Sequence, residues 1–308
     1  MSGAIHSEEN FGIAVHGGAG VMSGLSEEKQ EQIQNKIRET VSQAYLILEE
    51  GGSSLDAVEL AVSILEDSPL FNAGRGSVYN SDEVQEMDAS IMDGKNRLTG
   101  AVASISIVKN PIKLARKVAE ETNHVLLVGE GAERFAKNIG IEIVDKEYFF
   151  HQERLQRALN SKKKTSKLNQ NLNKIGTVGA VALDKNGNIS AATSTGGMTN
   201  KMPGRVGDSP IIGSGTWAQN GVCGVSSTGH GEYFIKYQVA REVCVRIEYL
   251  NQSLNDSSES IINELNNIGA SGGLIAIDHK GNISTPFNTK GMIRGSQTNR
   301  TRLKSEIY

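Results

Sequence analysis

Residues 176–184 read Gly-Thr-Val-Gly-Ala-Val-Ala-Leu-Asp, a glycine followed by the pattern of a buried strand. Immediately before them, residues 154–174 are polar, contain no acidic residue and include Lys-Lys-Lys-Thr-Ser-Lys at 162–167. A flexible hydrophilic segment that ends abruptly at a buried strand is a place where a chain can be cut. A cut between Gly176 and Thr177 would give Thr177 a free α-amine, whose pKa is about 7.7–8.0, beside its own hydroxyl. Such a residue is a nucleophile with its own base.

By itself, this stretch favours a simpler interpretation. Thr177 is β-branched and suits the start of any strand, and a lysine-rich loop is usually a solvated connection. The rest of the chain therefore has to decide between a nucleophile and an ordinary strand residue.

The composition is that of a globular protein with no electrostatic preference for nucleic acid or anionic membranes. The 308 residues are 38% hydrophobic and carry a net charge of −3, which allows a core and gives no basic excess. No apolar run approaches the roughly 20 residues of a membrane span, and residues 1–10 lack a hydrophobic signal core. We therefore expect a cytoplasmic protein with no nucleic-acid and no membrane partner. Cys223 and Cys244, both in apolar segments, are expected to pack unpaired.

Hydrophobic periodicity predicts helices and antiparallel strands in both halves of the chain. Residues 181–190 and 275–284 are near copies of each other, and each predicts a β-hairpin. The predicted helices begin near Ser26 and Ser54 and cover about 231–250 and 258–265. This pattern fits two sheets packed face to face with helices on both outer faces, an α+β fold.

Two glycine-rich stretches match other motifs only in part. His-Gly-Gly-Ala-Gly at 16–20 follows a predicted strand, but it fits neither the dinucleotide nor the phosphate-loop motif. We therefore predict no nucleotide site and a hydrogen-bonded, structural role for His16. Residues 269–273 match G-x-S-x-G, but a helix precedes them and a strand follows, which reverses the context of a nucleophile elbow.

The glycine-rich loop at 195–210 carries two charges suited to an amino-acid substrate. Arg205 can hold a carboxylate and Asp208 an ammonium. On its own, such a pair more often means a surface ion pair.

A second loop, at 227–232, leads from a predicted strand into a predicted helix. Exposed N–H groups at that helix start and the Thr228 hydroxyl can stabilise an oxyanion. Together with Thr177 and Thr195, which also lie at strand ends, and the two charges of the first loop, they predict an acyl-transfer site.

Seven stretches, in the same order, resemble the plant-type L-asparaginase/isoaspartyl peptidase family. They lie at 16–20, 71–74, 87–94, 175–184, 192–197, 203–210 and 228–232, so the resemblance covers nearly the whole chain. The family belongs to the N-terminal nucleophile hydrolases, which are four-layer αββα sandwiches and cut themselves before a nucleophilic threonine. The resemblance implies an α subunit of residues 1–176, with a flexible basic tail at about 154–174, and a β subunit of residues 177–308. The two would form a single folded domain.

The resemblance also implies catalytic roles. Self-cleavage would occur between Gly176 and Thr177, with the Thr177 hydroxyl as nucleophile and its freed amine as base. Thr195 would hydrogen-bond the nucleophile. The Thr228 hydroxyl and the Gly229 N–H would form the oxyanion hole.

The implied substrates are L-asparagine, deamidated to L-aspartate and ammonia, and β-aspartyl (isoaspartyl) dipeptides. Arg205 would grip the α-carboxylate, and Asp208, helped by the Gly231 carbonyl, would take the α-ammonium. The remaining residues of the implied substrate site are Asn72, Val206, Gly207, Thr228, Gly229 and His230, the last as a loop residue rather than a catalyst.

Family resemblance implies no cofactor for catalysis, but it does imply a structural sodium ion held by main-chain carbonyls. The matching residues are Leu65, Glu66, Ser68, Phe71, Ala73 and Arg75. It also implies a dimer of cleaved protomers, a heterotetramer. Three alternatives stay open: a glycosylasparaginase-like amidohydrolase, which would need a signal peptide and disulfides, a longer protein-cutting threonine aspartase, and an inactive homologue that remains uncut.

Overall fold

The computed structural model describes residues 9–20, 22, 24–163 and 176–308. The strands there are β1 (Gly12–Gly20), β2 (Met87–Asp93), β3 (Leu98–Ile105), β4 (Leu126–Val128), β5 (Val178–Leu183), β6 (Ile189–Thr195), β7 (Thr216–Gln219), β8 (Cys223–Gly229), β9 (Gly272–Asp278), β10 (Ile283–Ser284), β11 (Gly291–Thr298) and β12 (Thr301–Glu306). The helices are α1 (Glu27–Glu49), α2 (Ser54–Glu66), α3 (Pro111–Glu121), α4 (Gly129–Asn138), α5 (Lys146–Phe149), α6 (Gln152–Lys163), α7 (Gly231–Tyr237), α8 (Val239–Leu250) and α9 (Leu254–Asn267).

Two sheets packed face to face form the centre of the protein. The larger has the strand order β12-β11-β1-β5-β6-β2-β3-β4 and the smaller the order β10-β9-β8-β7. Strands β1, β5 and β6 of the larger sheet pack on β8 and β9 of the smaller. Helices α1, α2 and α3 cover the outer face of the larger sheet, and α8 and α9 cover that of the smaller. The predicted α+β fold, an αββα sandwich of four layers, is confirmed.

Local sequence signals explain the regular elements well. The Ser26 hydroxyl caps α1 by accepting the Lys29 N–H, and the apolar face predicted for that helix is buried. The near-copy segments form matching hairpins, β5–β6 and β9–β10. In each hairpin an aspartate stands where the first strand meets the turn: Asp184 directly follows β5, and Asp278 is the last residue of β9. Each accepts hydrogen bonds of 2.9 Å from backbone N–H groups of the turn.

The helix predicted over about 231–250 is wrong as a single element. It divides into α7 and α8 at Gln238, whose φ of 51° is left-handed. A residue in that conformation ends the α-helical hydrogen-bond ladder.

The flexible tail predicted at about 154–174 is also wrong in its first part. Helix α6 begins before it, and Arg154 is buried, with its Nη2 3.4 Å from the Leu70 carbonyl oxygen. Tertiary packing of this arginine orders a segment whose composition favours a loop. Residues 164–174 lie outside the described part of the chain.

Cys223 and Cys244 form a disulfide, which corrects the prediction that they pack unpaired. Cys223 begins β8, and Cys244 lies on α8, which packs against that strand. Their Cα atoms are therefore 5.6 Å apart, within the usual range for a disulfide. Only the docking of the helix brings them together.

Gly176, which leads into β5 in the middle of the larger sheet, lies between the two sheets. Strand β5 pairs with β1 on one side and β6 on the other, and β6 pairs with β2. Strands that precede Gly176 in the chain are therefore interleaved with strands that follow it in one sheet. Among the described residues, no helix is long and apolar enough to cross a membrane.

Candidate active site

The Thr177 hydroxyl lies at the end of the central strand and is held by a second threonine. Thr177 directly precedes β5 and is 9% exposed. Its Oγ1 donates a hydrogen bond to Thr195 Oγ1 at 3.1 Å. Because Thr195 ends the neighbouring strand β6, the antiparallel pairing of β5 and β6 brings the two side chains together. The Gly197 N–H donates to the same Thr195 oxygen at 2.9 Å, which fixes its orientation.

The smaller sheet supplies the opposite wall. Thr228, near the end of β8, is buried, and its Oγ1 accepts the Ala19 N–H at 3.4 Å. A Cβ atom placed on Gly176 would lie 2.9 Å from that hydroxyl oxygen. The Thr228 hydroxyl thus lies beside Gly176, the residue that precedes Thr177. Gly229, which follows it, has a φ of 154°, a backbone conformation that favours glycine.

These residues surround one small pocket of about 20 Å³, roughly the space of one water molecule. The residues that line it are Ala19, Asn72, Gly176, Thr177, Thr195, Gly197, Met198, Arg205, Gly207, Asp208, Ser209, Thr228 and Gly229. Of the residues that the sequence placed at the site, Val206, His230 and Gly231 are absent from this lining. Gly231 nevertheless contacts it, since a Cβ atom there would lie 2.9 Å from Asp208 Oδ1.

Arg205 is held by a residue that sequence reasoning did not select. Its Nε and Nη2 lie 2.9 and 2.8 Å from Oε1 of Glu232, at the start of α7. Partial burial raises the pKa of Glu232, but the Arg205 guanidinium outweighs it, so the carboxyl pKa lies below its ordinary value. The third guanidinium nitrogen, Nη1, faces Gly197 and Gly207 in the pocket wall. Glu232 lies within the 228–232 stretch, which was the signal available.

Asp208 is 4% exposed and lines the pocket on the same side as Arg205. Its backbone carbonyl accepts the Ile211 N–H at 2.9 Å, so the loop turns directly after it. A guanidinium and a carboxylate from one loop therefore line the same pocket as the Thr177 hydroxyl.

Asn72 braces the turn after Thr195. Its Nδ2 donates to the Gly197 carbonyl at 2.7 Å, and its Oδ1 accepts the Val78 N–H at 3.0 Å. The Gly196 N–H in turn donates to the Asn72 carbonyl at 3.0 Å. Asn72 lines the pocket, but its side chain is already committed to the protein.

A buried charge cluster beneath the loop was also missed from the sequence. Lys201 is buried, with Nζ 3.0 Å from the Glu86 carbonyl oxygen and 3.9 Å from Glu86 Oε2. Burial lowers the pKa of Lys201 and raises that of Asp88, which pairs with Thr195 across β2 and β6. Residues this far apart in sequence gave no common signal.

His16 is buried in β1, where its Nε2 lies 3.0 Å from Ser226 Oγ. Burial lowers the pKa of His16 to about 3, and a contact with the Thr177 backbone opposes this only weakly. Its Nδ1 has no hydrogen-bond partner of good geometry in the described part of the chain. His16 is thus a neutral, hydrogen-bonded interior residue next to Thr177.

Among the described residues, no cluster of three His, Cys, Asp or Glu side chains that could hold a metal ion occurs. The loop after α2 is where the resemblance implies a cation held by carbonyl groups. Cβ atoms placed on Gly74 and Gly76 would collide with the Glu66 and Phe71 carbonyl oxygens respectively. Both oxygens therefore point into space that glycine leaves open. The Glu66 side chain is turned away to accept the Ser194 hydroxyl at 2.6 Å, and burial raises its pKa to about 8.

Several known proteins are similar to this chain over most of its length. A family model described as asparaginase matches residues 9–306. The chain is 46% identical to the isoaspartyl peptidase of Escherichia coli (strain K12), over 92% of this chain and 91% of that protein. It is 44% identical to the isoaspartyl peptidase/L-asparaginase of Xenopus laevis (91% and 90% covered) and 41% identical to that of Bos taurus (91% of each).

Proposed function

Because the chain belongs to the asparaginase family, we propose that it is an N-terminal threonine hydrolase that deamidates L-asparagine and hydrolyses β-aspartyl dipeptides. The observation that carries this proposal is the pocket in which the Thr177 hydroxyl bonds to Thr195 while Arg205 and Asp208 line the same walls. One reactive hydroxyl opposite two charges of different sign suits a small substrate with an α-carboxylate and an α-ammonium.

The first reaction is maturation of the chain itself. Thr177 Oγ1 attacks the Gly176 carbonyl carbon, the peptide C–N bond breaks, and the acyl group passes from nitrogen to oxygen as an ester. Water then hydrolyses the ester, which frees the Gly176 carboxylate and the Thr177 α-amine. The small size of the pocket and the presence of Gly176 in its wall support this order, because the substrate needs the space that Gly176 vacates.

Hydrolysis of substrate uses the same oxygen. The Thr177 amine takes the hydroxyl proton as Oγ1 attacks the side-chain carbonyl carbon of the substrate. The ammonium so formed donates its proton to the leaving nitrogen, and ammonia or the second amino acid departs. Water, deprotonated by the same amine, then cleaves the β-aspartyl ester and releases L-aspartate.

Charge on the substrate is matched by fixed groups around the pocket. The Thr228 hydroxyl and the Gly229 N–H stabilise the oxyanion that forms at the attacked carbonyl. Arg205 binds the α-carboxylate through the edge that Glu232 leaves open, and Asp208 binds the α-ammonium.

The test is a Thr177→Ala chain. It should remain a single band on a denaturing gel, whereas the natural chain should give two fragments, the smaller beginning Thr-Val-Gly-Ala-Val. A natural chain that stays whole and inactive would support the uncut-homologue alternative. The decisive control makes the light fragment separately with the Thr177→Ala substitution and assembles it with residues 1–176. Near-normal turnover by that assembly would mean that a group other than the Thr177 hydroxyl attacks.

The proposal has three further parts: a structural sodium ion, a dimer of cleaved protomers and a cytoplasmic location. The carbonyls of Leu65, Glu66, Ser68, Phe71, Ala73 and Arg75 would hold a sodium ion, which supplies only structural support to the Asn72 region. Thermal unfolding at equal ionic strength in sodium and in choline chloride tests this, with a higher midpoint expected in sodium.

We also keep the dimer of cleaved protomers and the cytoplasmic location as proposals. Light scattering of the cleaved protein should give twice the protomer mass. The Cys223–Cys244 disulfide weighs against a reducing compartment, where such bonds are rare. Because both cysteines are buried, the cells are quenched in acid and the protein is alkylated after denaturation; modified thiols in the mass spectrum support the cytoplasm.

A further inference from the structure

Four buried hydroxyl groups form a continuous line of hydrogen bonds between the two sheets. In order they are Ser226, Thr193, Thr216 and Ser90, from β8, β6, β7 and β2, and we name them the hydroxyl chain. The three distances between successive oxygens are 2.7, 2.6 and 2.8 Å. All four residues are fully buried. Because a hydroxyl both donates and accepts, each member provides a partner for the next.

The two ends of the hydroxyl chain lie at opposite sides of the active site. At one end, Ser226 Oγ is 3.0 Å from His16 Nε2, beside the start of the nucleophile strand. At the other end, Ser90 Oγ donates to the Ser209 backbone carbonyl at 2.7 Å. Thr216 Oγ1 also lies within 3.3 Å of that carbonyl. Ser209 directly follows Asp208, so this end supports the peptide next to the pocket carboxylate.

The hydroxyl chain is not what the fold alone would require. Elsewhere the interface between the sheets is apolar, with Val181, Ala191, Val225 and Leu274 among its buried residues. Burying hydroxyls gives no stability over well-packed apolar groups unless each is bonded. The hydroxyl chain supplies a donor for the Ser209 carbonyl, which no strand partner reaches. The Ser209 carbonyl would otherwise be a buried acceptor without a donor.

The Asp208–Ser209 peptide is also confined from the side. A Cβ atom placed on Gly215 would collide with the Asp208 carbonyl and lie 2.7 Å from Ser209 Cα. Gly215 therefore lets the loop settle directly onto β7, and its own carbonyl accepts the Ser227 N–H at 2.9 Å. With this wall on one side, the hydrogen bond that Ser90 donates decides how far the peptide can move, and Thr216 Oγ1, 2.8 Å from Ser90 Oγ, holds the Ser90 hydroxyl in place.

We propose that Ser90 and Thr216 are positioning residues for the ammonium end of the substrate. The Ser90 hydroxyl donates to the Ser209 carbonyl and the Thr216 hydroxyl supports Ser90, which fixes the Asp208 backbone and aims its carboxylate into the pocket. This inference rests on the proposed role of Asp208. It concerns the α-ammonium alone, because Arg205 is held separately by Glu232.

The test compares two products that differ in one group. L-Aspartate carries the α-ammonium and succinate has a hydrogen in its place, so the ratio of their competitive inhibition constants reports the ammonium contact. Thr216→Val keeps the shape of the side chain and removes the hydroxyl, and Thr216→Ser keeps the hydroxyl and removes the methyl group. We expect Thr216→Val to weaken L-aspartate by about tenfold, the usual effect of one buried bond lost. Succinate should change by less than about twofold, and Thr216→Ser should bind both products like the natural enzyme.

Equal weakening of both inhibitors in Thr216→Val, or a Thr216→Ser protein as impaired as Thr216→Val, would overturn the inference, because either result describes general damage. Completion of self-cleavage shows that each variant is folded. If Thr216→Val does not mature, Ser90→Ala takes its place and should selectively weaken L-aspartate in the same way. Asp208→Ala separates the two levels of the argument. If it leaves the inhibitor ratio unchanged, the proposed role of Asp208 fails. If it raises the inhibition constant of L-aspartate relative to that of succinate and the hydroxyl variants do not, only the present inference fails.

Discussion

Lowering the pH from 7 to 5 should destabilise the folded chain through His16 by about 2 kcal/mol. Burial lowers the pKa of this imidazole from 6.5 to about 3 in the folded state. Between these two values the unfolded chain binds a proton that the folded chain does not, so stability is full above pH 6.5 and is lost as the pH falls. At pH 5 the solution is about 1.5 pH units below the pKa of the unfolded imidazole. At about 1.36 kcal/mol per unit, this difference gives about 2 kcal/mol.

The experiment needs a reversible system and a matched control. An uncut Thr177→Ala chain provides a single polypeptide for equilibrium unfolding in urea. His16→Gln in that background retains a nitrogen that can reach Ser226 but cannot titrate. The free energy of unfolding of each protein is measured at pH 7 and pH 5, and the loss in the parent should exceed the loss in the His16→Gln chain by about 2 kcal/mol.

The difference between the two proteins is the informative quantity, because Glu66 acts in the opposite direction. Burial raises its pKa from 4.5 to about 8, so the folded chain holds a proton that the unfolded chain loses. That contribution to stability is present at low pH and is lost as the pH rises through this range. It is common to both chains and cancels. Equal pH dependence in the parent and in His16→Gln would refute the assignment of a buried neutral imidazole.

Other variants test single contacts of the site. Thr195→Val removes the hydroxyl that accepts from the nucleophile, and both self-cleavage on gels and turnover should slow by about tenfold or more. Arg205→Lys should mature normally but lose about 10- to 100-fold in kcat/KM, because an ammonium cannot reproduce the guanidinium fork. Glu232→Gln should raise KM by less than about fivefold, since it loosens Arg205 without removing it. Gly18→Ala should leave the chain whole on gels, because its Cβ would collide with the Gly176 backbone. Full cleavage of Gly18→Ala, unchanged KM in Arg205→Lys or rapid turnover by Thr195→Val would each contradict the contact concerned.

Local patterns determined most of the fold. The sequence predicted the apolar face of α1, its Ser26 cap and the hairpins β5–β6 and β9–β10. Each of these depends on residues that are close together in the chain. Motif order along the whole chain likewise indicated the family and the threonine at the start of β5. Local patterns misjudged α6 and the break at Gln238, where buried Arg154 and a left-handed backbone override composition.

Tertiary structure alone decided how the site is supported. Three supporting contacts join elements that lie far apart in the sequence or meet only by docking. They are the ion pair of Arg205 with Glu232, the Cys223–Cys244 disulfide and the hydroxyl chain. Ser90 and Thr216 are 126 positions apart, and they touch because two sheets stack at that point. Sheet stacking sets no period along a strand beyond the alternation of faces, so the sequence does not show which side chains of the other sheet these hydroxyls meet. Thr177, Thr195 and the two charges of the pocket could therefore be predicted from the chain, whereas Glu232 and the hydroxyl chain, which support them, could not.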